Sequence, residues 1–282
     1  MTTPSHCEGH RADHTVFAGR PLVVKIGGAS LEQQLDNPTL WQALVEKHTT
    51  HAGGVVLVHG GGRKVDSLID RLGMKTERRE GIRITPEDQM DVIAGVLAGT
   101  VNKQLVGAIN MAVRGSPAVG VCLGDGGVLA TRKATRFSFD PGRVGEVDTK
   151  GHARLLRELL RLKFLPVVAS IGIDAQGGLL NVNGDDAAAG VARALGAAAL
   201  VLLTDVDGVR GADGRTIEEL APARVEGLIT NGVISGGMVP KTRSAVETAR
   251  HIGSPVVIVS AQPSSFAAYL RGEQVGTRVL PG

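Results

Sequence analysis

In the stretch PLVVKIGGAS, Pro21 to Ser30, a lysine stands at the end of an apolar β-run and two glycines follow it. Lysine above a glycine turn can hold a phosphate, because bare turn N–H groups approach an anion closely and the ammonium adds a full charge. The alternative is a surface cap on an ordinary turn. The pattern recurs at VVLVHGGG, where Gly60, Gly61 and Gly62 follow a second apolar run, and the Thr204-Asp205 pair ends a third in LLTDVDG. Two glycine turns at neighbouring strand ends would make a phosphate cradle, with Lys25, Gly27 and Gly28 on one side and Gly61 and Gly62 on the other.

Other residues gain meaning beside that cradle. Lys241 in GGMVPKT is either a phosphate contact or an exposed lysine at a helix start. Asp185 in NVNGDD is either a site carboxylate or an acid favoured by the positive end of a helix. Asn181 and Asn183 could be polar ligands or turn residues. Arg83 in GIRIT is the candidate for gripping a carboxylate, since a guanidinium fork binds both oxygens. The usual nucleotide fingerprints are missing: there is no G-x-x-x-x-G-K-[ST], no G-x-G-x-x-G after a strand, no H-R-D and no D-F-G. A P-loop enzyme, a dinucleotide oxidoreductase and a protein kinase are therefore disfavoured.

The elements that must carry these groups alternate along the chain. LVVKI, VVLVH, LPVVASIGI, ALVLLTDVDGV and PVVIVSA read as strands. HARLLRELLRLK, TIEELA and KTRSAVETARHIG read as helices, and NVNGDDAAAG opens another. Thr85-Pro86-Glu87-Asp88 reads as a helix start with Thr85 as cap, opening a stripe of Val92, Ile93, Val96, Leu97, Val101 and Leu105. Continuous apolar strands between helices imply a mostly parallel sheet covered on both faces. The expectation is an α/β fold, a three-layer α/β/α sandwich with two lobes, 21–180 and 181–282, behind a leader of residues 1–20.

Composition narrows the function. The 282 residues are 43% hydrophobic but only 2% aromatic, with a formal charge of +3, so there is little to stack bases on and nucleic acid is not an expected partner. Cys7 and Cys122 sit far apart in unlike contexts and imply no disulfide framework. No uninterrupted apolar run reaches the ~18–20 residues of a membrane span, and the first twenty residues lack a signal peptide's apolar core. A cytoplasmic protein without membrane partners is expected. His6, Cys7, His10 and His14 could be metal ligands, but no second ligand pair supports a closed zinc site, so a polar leader is the reading.

In their order, KIGG, VHGGGRKVD, GIRITPEDQ, LAGTVNK, GLLNVNGDDAAAG, LLTDVDGV and GGMVPKTRSA resemble the acetylglutamate kinases of the amino acid kinase family, most closely the short enterobacterial type. The likeness implies the amino acid kinase-like fold and the use of ATP and Mg2+ to phosphorylate the side-chain carboxylate of N-acetyl-L-glutamate, a step towards ornithine and arginine. It further implies an N-terminal lobe for the acid substrate and dimerisation, and a C-terminal lobe for the nucleotide. Lys25 and Lys241 would neutralise the transferring phosphoryl group, with Asp185 between them holding both. Gly27 and Gly28 would serve the nucleotide, Gly61 and Gly62 the substrate. Arg83 and Asn181 would bind the amino acid, and Thr204 and Asp205 would lie on the nucleotide side. One departure is Gly184, where the family commonly has alanine, which loosens a helix start by ~1 kcal/mol.

Elementary chemistry agrees with that implication. A glutamate-type carboxylate titrates near ~4.3, so at neutral pH the nucleophile is already ionised and needs no general base. Same-fold alternatives are a kinase for carrier-bound aminoadipate and a non-catalytic arginine-binding domain. Arginine-inhibited relatives use a longer N-terminal helix to link dimers. Met1 to Arg20 has almost no apolar periodicity, so a homodimer insensitive to arginine is expected.

Overall fold

The computed structural model describes residues 19–148, 152–236 and 238–282; residues 1–18, which hold the leader's histidines and its cysteine, lie outside them. The first half runs β1 (Leu22–Ile26), α1 (Gly28–Gln34), α2 (Pro38–Thr50), β2 (Val55–His59), α3 (Gly62–Arg71), and the two-residue strands β3 (Arg78–Arg79) and β4 (Ile82–Arg83). A continuous 26-residue helix, Glu87–Ala112, follows. Its α-helical parts α4 (Met90–Ala94) and α5 (Asn102–Ala112) flank a π-helical stretch, Gly95–Val101. Then come β5 (Ala118–Cys122), β6 (Thr131–Lys133), β7 (Val144–Val147), α6 (Arg154–Arg161), β8 (Leu165–Ala169), β9 (Ile171–Ile173) and β10 (Leu179–Val182). The last third is α7 (Gly184–Leu195), β11 (Ala199–Thr204), β12 (Glu219–Leu220), α8 (Pro222–Thr230), α9 (Met238–Ile252), β13 (Val256–Ser260), α10 (Pro263–Leu270) and β14 (Thr277–Val279).

Eight strands form the main sheet in the order β12-β14-β13-β11-β1-β2-β8-β5, parallel except where β14 runs against β13. Val23, Val24, Val55, Val56, Leu57 and Val58 are wholly buried, as central strands covered on both faces must be. Two apolar clusters lie on opposite faces of the sheet. One includes Leu40, Trp41, Ile69, Ile93 and Leu105; the other includes Leu156, Ala188, Val191, Ala192 and Ala249. With few aromatics available, helix α7 approaches β1 and β2 through alanines. The chain leaves β1 towards β2 on one side, while β11 and β13 extend the sheet on the other. The point where strand order reverses is thus at β1, and in such sheets the crevice outside the carboxyl ends is where ligands bind. Lys25 is at that end.

The helix Glu87–Ala112 has an 18-residue window of mean hydropathy 1.4, long and apolar enough by those measures to cross a membrane. It is built into the core instead: Ile93, Val101, Leu105 and Ile109 are buried beneath α2 and the sheet. Polar residues interrupt its sequence, which is why no uninterrupted run stands out when it is read linearly.

Three expectations need correction. TIEELA is not a helix: Glu219–Leu220 is an edge strand parallel to β14, which buries Leu220, and the helix begins at Pro222. Ala221, just before that proline, is extended, as the proline ring requires. LPVVASIGI is two strands, not one, because the chain leaves the main sheet at Ser170 and joins a second sheet, β6-β7-β10-β9. Thr85 does not cap the long helix; Pro86 occupies that position, and the Thr85 hydroxyl donates to the Arg83 carbonyl and accepts from the Asn181 amide.

Candidate active site

Two cavities meet at the carboxyl ends of β1 and β2. The larger, about 300 Å3, is lined by Lys25, Gly27, Gly28, Asp185, Thr204, Asp205 and Lys241, together with Arg63. The smaller, about 130 Å3, is lined by Gly60 to Gly62, Arg83, Asn181 and Gly184, with Arg78, Arg136, Ser170 and an apolar wall that includes Val65, Ile82, Ile93 and Leu97. Every residue expected at the nucleotide or between the two lysines lines the first cavity. Every residue expected at the acid substrate lines the second. Gly184 and Asp185, adjacent in the chain, sit on either side of the division.

The two glycine turns are coupled. The Gly60 N–H donates to the Ile26 carbonyl at 3.2 Å, tying the ends of β1 and β2 together. Gly28 has φ +58°, a left-handed conformation that side chains resist. A Cβ on Gly61 would lie 2.9 Å from Leu97 Cδ2 and 3.2 Å from Val101 Cγ2, so the long helix packs closely on this turn and a larger residue would push those side chains aside.

Lys25 Nζ lies 2.9 Å from Asp185 Oδ1, with the lysine side chain 17% exposed and the aspartate 54%. Asp185 is in the first turn of α7, capped by the Asn183 side chain, which accepts from the Asp185 and Asp186 N–H groups. Lys241 projects from the N-terminal part of α9 to the end of β11. There it donates to Thr204 Oγ1 at 2.9 Å and stands 3.8 Å from Asp205 Oδ1. A hydrogen bond from the Thr204 hydroxyl, with the Lys241 and Arg63 charges adding to it, holds the Asp205 carboxyl below the usual carboxylate range. In this arrangement each lysine has its own aspartate; Asp185 pairs with Lys25, while Lys241 turns towards β11.

Three guanidinium groups, of Arg78, Arg83 and Arg136, line the smaller cavity, each paired with a carboxylate. Arg83 is buried, 8% exposed, and its guanidinium is largely engaged by the protein: Nη2 donates to Asp66 Oδ1 and to the Gly62 carbonyl, and Nη1 to Thr76 Oγ1. Its guanidinium is therefore shared among Asp66, Gly62 and Thr76, with one nitrogen on the carboxylate, rather than standing free. Burial raises the Asp66 pKa, but hydrogen bonds from Arg83 and Arg78 outweigh that and hold the carboxyl below its ordinary value. Arg136, in the lining, pairs with Asp186 at 2.6 Å. Asn181 donates to Thr85, linking β10 to the start of the long helix.

Behind the glycine turn lies a polar connection that motif reading passes over. Asn102 Nδ2 donates to the Val167 carbonyl and to His59 Nε2, while Lys103 donates to Asn102 Oδ1. That arrangement leaves the imidazole proton on Nδ1, which donates to the Gly60 carbonyl at 2.8 Å. Burial pushes the His59 pKa down to about 4, so the ring is neutral at ordinary pH. Asp66, His59 and Asn102 all lie inside motifs visible in the sequence; what is invisible there is that they meet. Arg136 and Ser170 carry no sequence signal of their own.

An α/β sandwich with a glycine-turn crevice at its topological switch point is a protein of the doubly wound class, in which ligands bind at that crevice. The chain belongs to the amino acid kinase family, whose model matches residues 20–260. It is 40% identical over 262 residues to the acetylglutamate kinase of Proteus mirabilis, an alignment covering 92% of this chain and 99% of that protein. Among solved structures it is similar to smu.665 from Streptococcus mutans UA159, with a TM-score of 0.74 and 29% identity over 93% of this chain and 99% of that one. It is also similar to N-acetylglutamate synthase from Neisseria gonorrhoeae complexed with coenzyme A and L-arginine: the TM-score is 0.76 and the identity 25%, covering 95% of this chain but 62% of that one.

Proposed function

We propose that the protein is an acetylglutamate kinase, transferring the terminal phosphoryl group of ATP to the side-chain carboxylate of N-acetyl-L-glutamate in arginine and ornithine biosynthesis. The observation that carries this reading is the pair of adjoining cavities, one bearing two separated lysines and the other three guanidinium groups. A carboxylate oxygen of the acid attacks the terminal phosphorus, the bond to the bridging oxygen breaks, and ADP leaves. The negative charge spreads over the equatorial oxygens, so catalysis is positioning and cationic stabilisation. Lys25 and Lys241 are the cations; Asp185 orients Lys25, and Thr204 with Asp205 orients Lys241. Gly27 and Gly28 offer backbone N–H groups to the nucleotide. Gly61, Gly62 and Asn181 bind the acid, and Arg83 fixes the wall through Asp66 and contributes its charge.

Magnesium would be carried on the nucleotide's phosphates, where it would offset their charge. The two cleft aspartates, Asp185 and Asp205, face lysines in this structure. Residues 21–180 would serve mainly the acid and the subunit contact and 181–282 mainly the nucleotide, with Lys25, Gly27 and Gly28 reaching the nucleotide from the first lobe and Asn181 the acid from the second, within one continuous domain in the cytoplasm. A homodimer is supported by β5, an edge strand half-exposed along its length, beside α5 with Met111 87% exposed. The test of function is ADP release with N-acetylglutamate, glutamate, aspartate and aminoadipate in parallel. Release is expected with the first alone; equal release with all would refute the substrate assignment. The likeness to an arginine-complexed synthase structure favours one second reading, a regulatory arginine-binding domain, for which arginine would bind and no ADP appear.

A further inference from the structure

Arg63, inside the VHGGGRKVD motif, is the one cation lining the larger cavity to which neither the sequence nor the mechanism above gives a role. It is the second residue of α3, directly after Gly62, which lines the smaller cavity, while Arg63 itself lines the larger one with Lys25 and Lys241. It therefore stands where the two cavities adjoin. Its side chain is 62% exposed. The nearest acid, Glu32 on α1, is 3.7 Å away, beyond hydrogen-bond length. Among the described residues the guanidinium makes no hydrogen bond to the protein, whereas Lys241 donates to Thr204 and Arg83 is largely engaged.

The charges of the cleft ask for such a group. Its lining has three cations, Lys25, Arg63 and Lys241, and two anions, Asp185 and Asp205. Both lysines already face an aspartate, so much of their charge is offset before any phosphate arrives. Arg63 is held only by a rim contact that solvent weakens, and a planar fork matches phosphate oxygens in two parallel hydrogen bonds. Its charge is felt at Asp205 across the same cavity.

Building on the kinase reading, we propose that Arg63 leaves Glu32 when nucleotide binds and becomes a third cation on the terminal phosphates, acting beside Lys25 and Lys241. Arg63→Gln should lower kcat/KM for ATP at least tenfold while changing the KM for N-acetylglutamate less than twofold. Arg63→Lys should recover part of the loss, since charge is kept and the fork is not. Arg161→Gln, an equal change of charge on α6 outside the cleft, should leave both parameters alone. Binding of a non-hydrolysable ATP analogue with magnesium, followed by calorimetry without acid substrate, should weaken in Arg63→Gln with the thermal midpoint unchanged. A kcat/KM for ATP within twofold of the unmodified protein, or unaltered analogue binding, would overturn the proposal. If the unmodified protein binds the analogue but releases no ADP with N-acetylglutamate, the substrate reading fails and the analogue arm still decides the role of Arg63. If it binds no analogue, the Arg63 proposal falls too.

Discussion

At the scale of single residues, the cleft separates its cations rather than pooling them. Lys25 and Lys241 come from β1 and α9, each oriented by a different aspartate, so neither can replace the other. Lys25→Met and Lys241→Met should each reduce kcat at least ~100-fold, with little change in the melting midpoint. A variant keeping near-normal turnover would remove that lysine from the mechanism. Arg83→Lys should raise the KM for the acid substrate while leaving that for ATP nearly constant, because a lysine cannot satisfy Asp66, Gly62 and Thr76 at once. Equal effects on both constants would make Arg83 purely structural. Gly184 gives a third test. A Cβ there would lie 3.5 Å from Lys25 Cε and 3.6 Å from Gly60 Cα, ordinary contact distances, and the residue has no left-handed backbone. Gly184→Ala should therefore stabilise the protein by roughly 0.5–1 kcal/mol in denaturant titrations. Destabilisation would mean that the gap itself is needed.

Elements explain why some of the site was legible in the sequence and some was not. The strands β1, β2, β11 and β13 are short apolar runs whose identity is local, and the glycines that end β1 and β2 announce a bend; these could be read directly. Asp185 in the first turn of α7 was local too, whereas Asn183, read only as a turn residue or ligand, is the cap of that helix. TIEELA failed because Leu220 answers to Val279 in the core rather than to its own neighbours. The partners of Arg83 and His59 were hidden because Asp66 and Asn102 reach them only once α3 and the long helix have packed. The π-helical stretch lies in that contact: Leu97 and Val101 press on Gly61, and the next residue, Asn102, reaches His59. A buried neutral His59 has a measurable signature. Its folded pKa of about 4 lies below the ordinary 6.5, so the unfolded chain takes up the proton first and stability falls as pH drops from about 6.5 towards 4. At pH 5 the loss is on the order of 2 kcal/mol. Burial lowers the pKa of His48 and His51 as well, so the comparison must be with His59→Gln, whose stability should vary less between pH 7.5 and 5. An unchanged pH dependence would mean that His59 is not held neutral in the fold.

For the whole molecule, sheet order decides where chemistry can occur. Because β1 sits at the switch between β2 and β11, groups far apart in the chain, Lys25, Arg83, Asp185 and Lys241, gather about one crevice. The same sheet ends at β5, an open edge, and light scattering should give the mass of a dimer that Val119→Lys, in that edge, converts to monomer. A hexamer slowed by millimolar arginine would contradict both the assembly and the expected arginine insensitivity. The central claim is that phosphate passes from ATP to a carboxylate, and the product of that step is an acyl phosphate. Hydroxylamine captures acyl phosphates as hydroxamates, so the protein, Mg-ATP, N-acetyl-L-glutamate and hydroxylamine should together give one hydroxamate for each ADP released. ADP released without hydroxamate, or at a rate independent of the acid, would contradict the account.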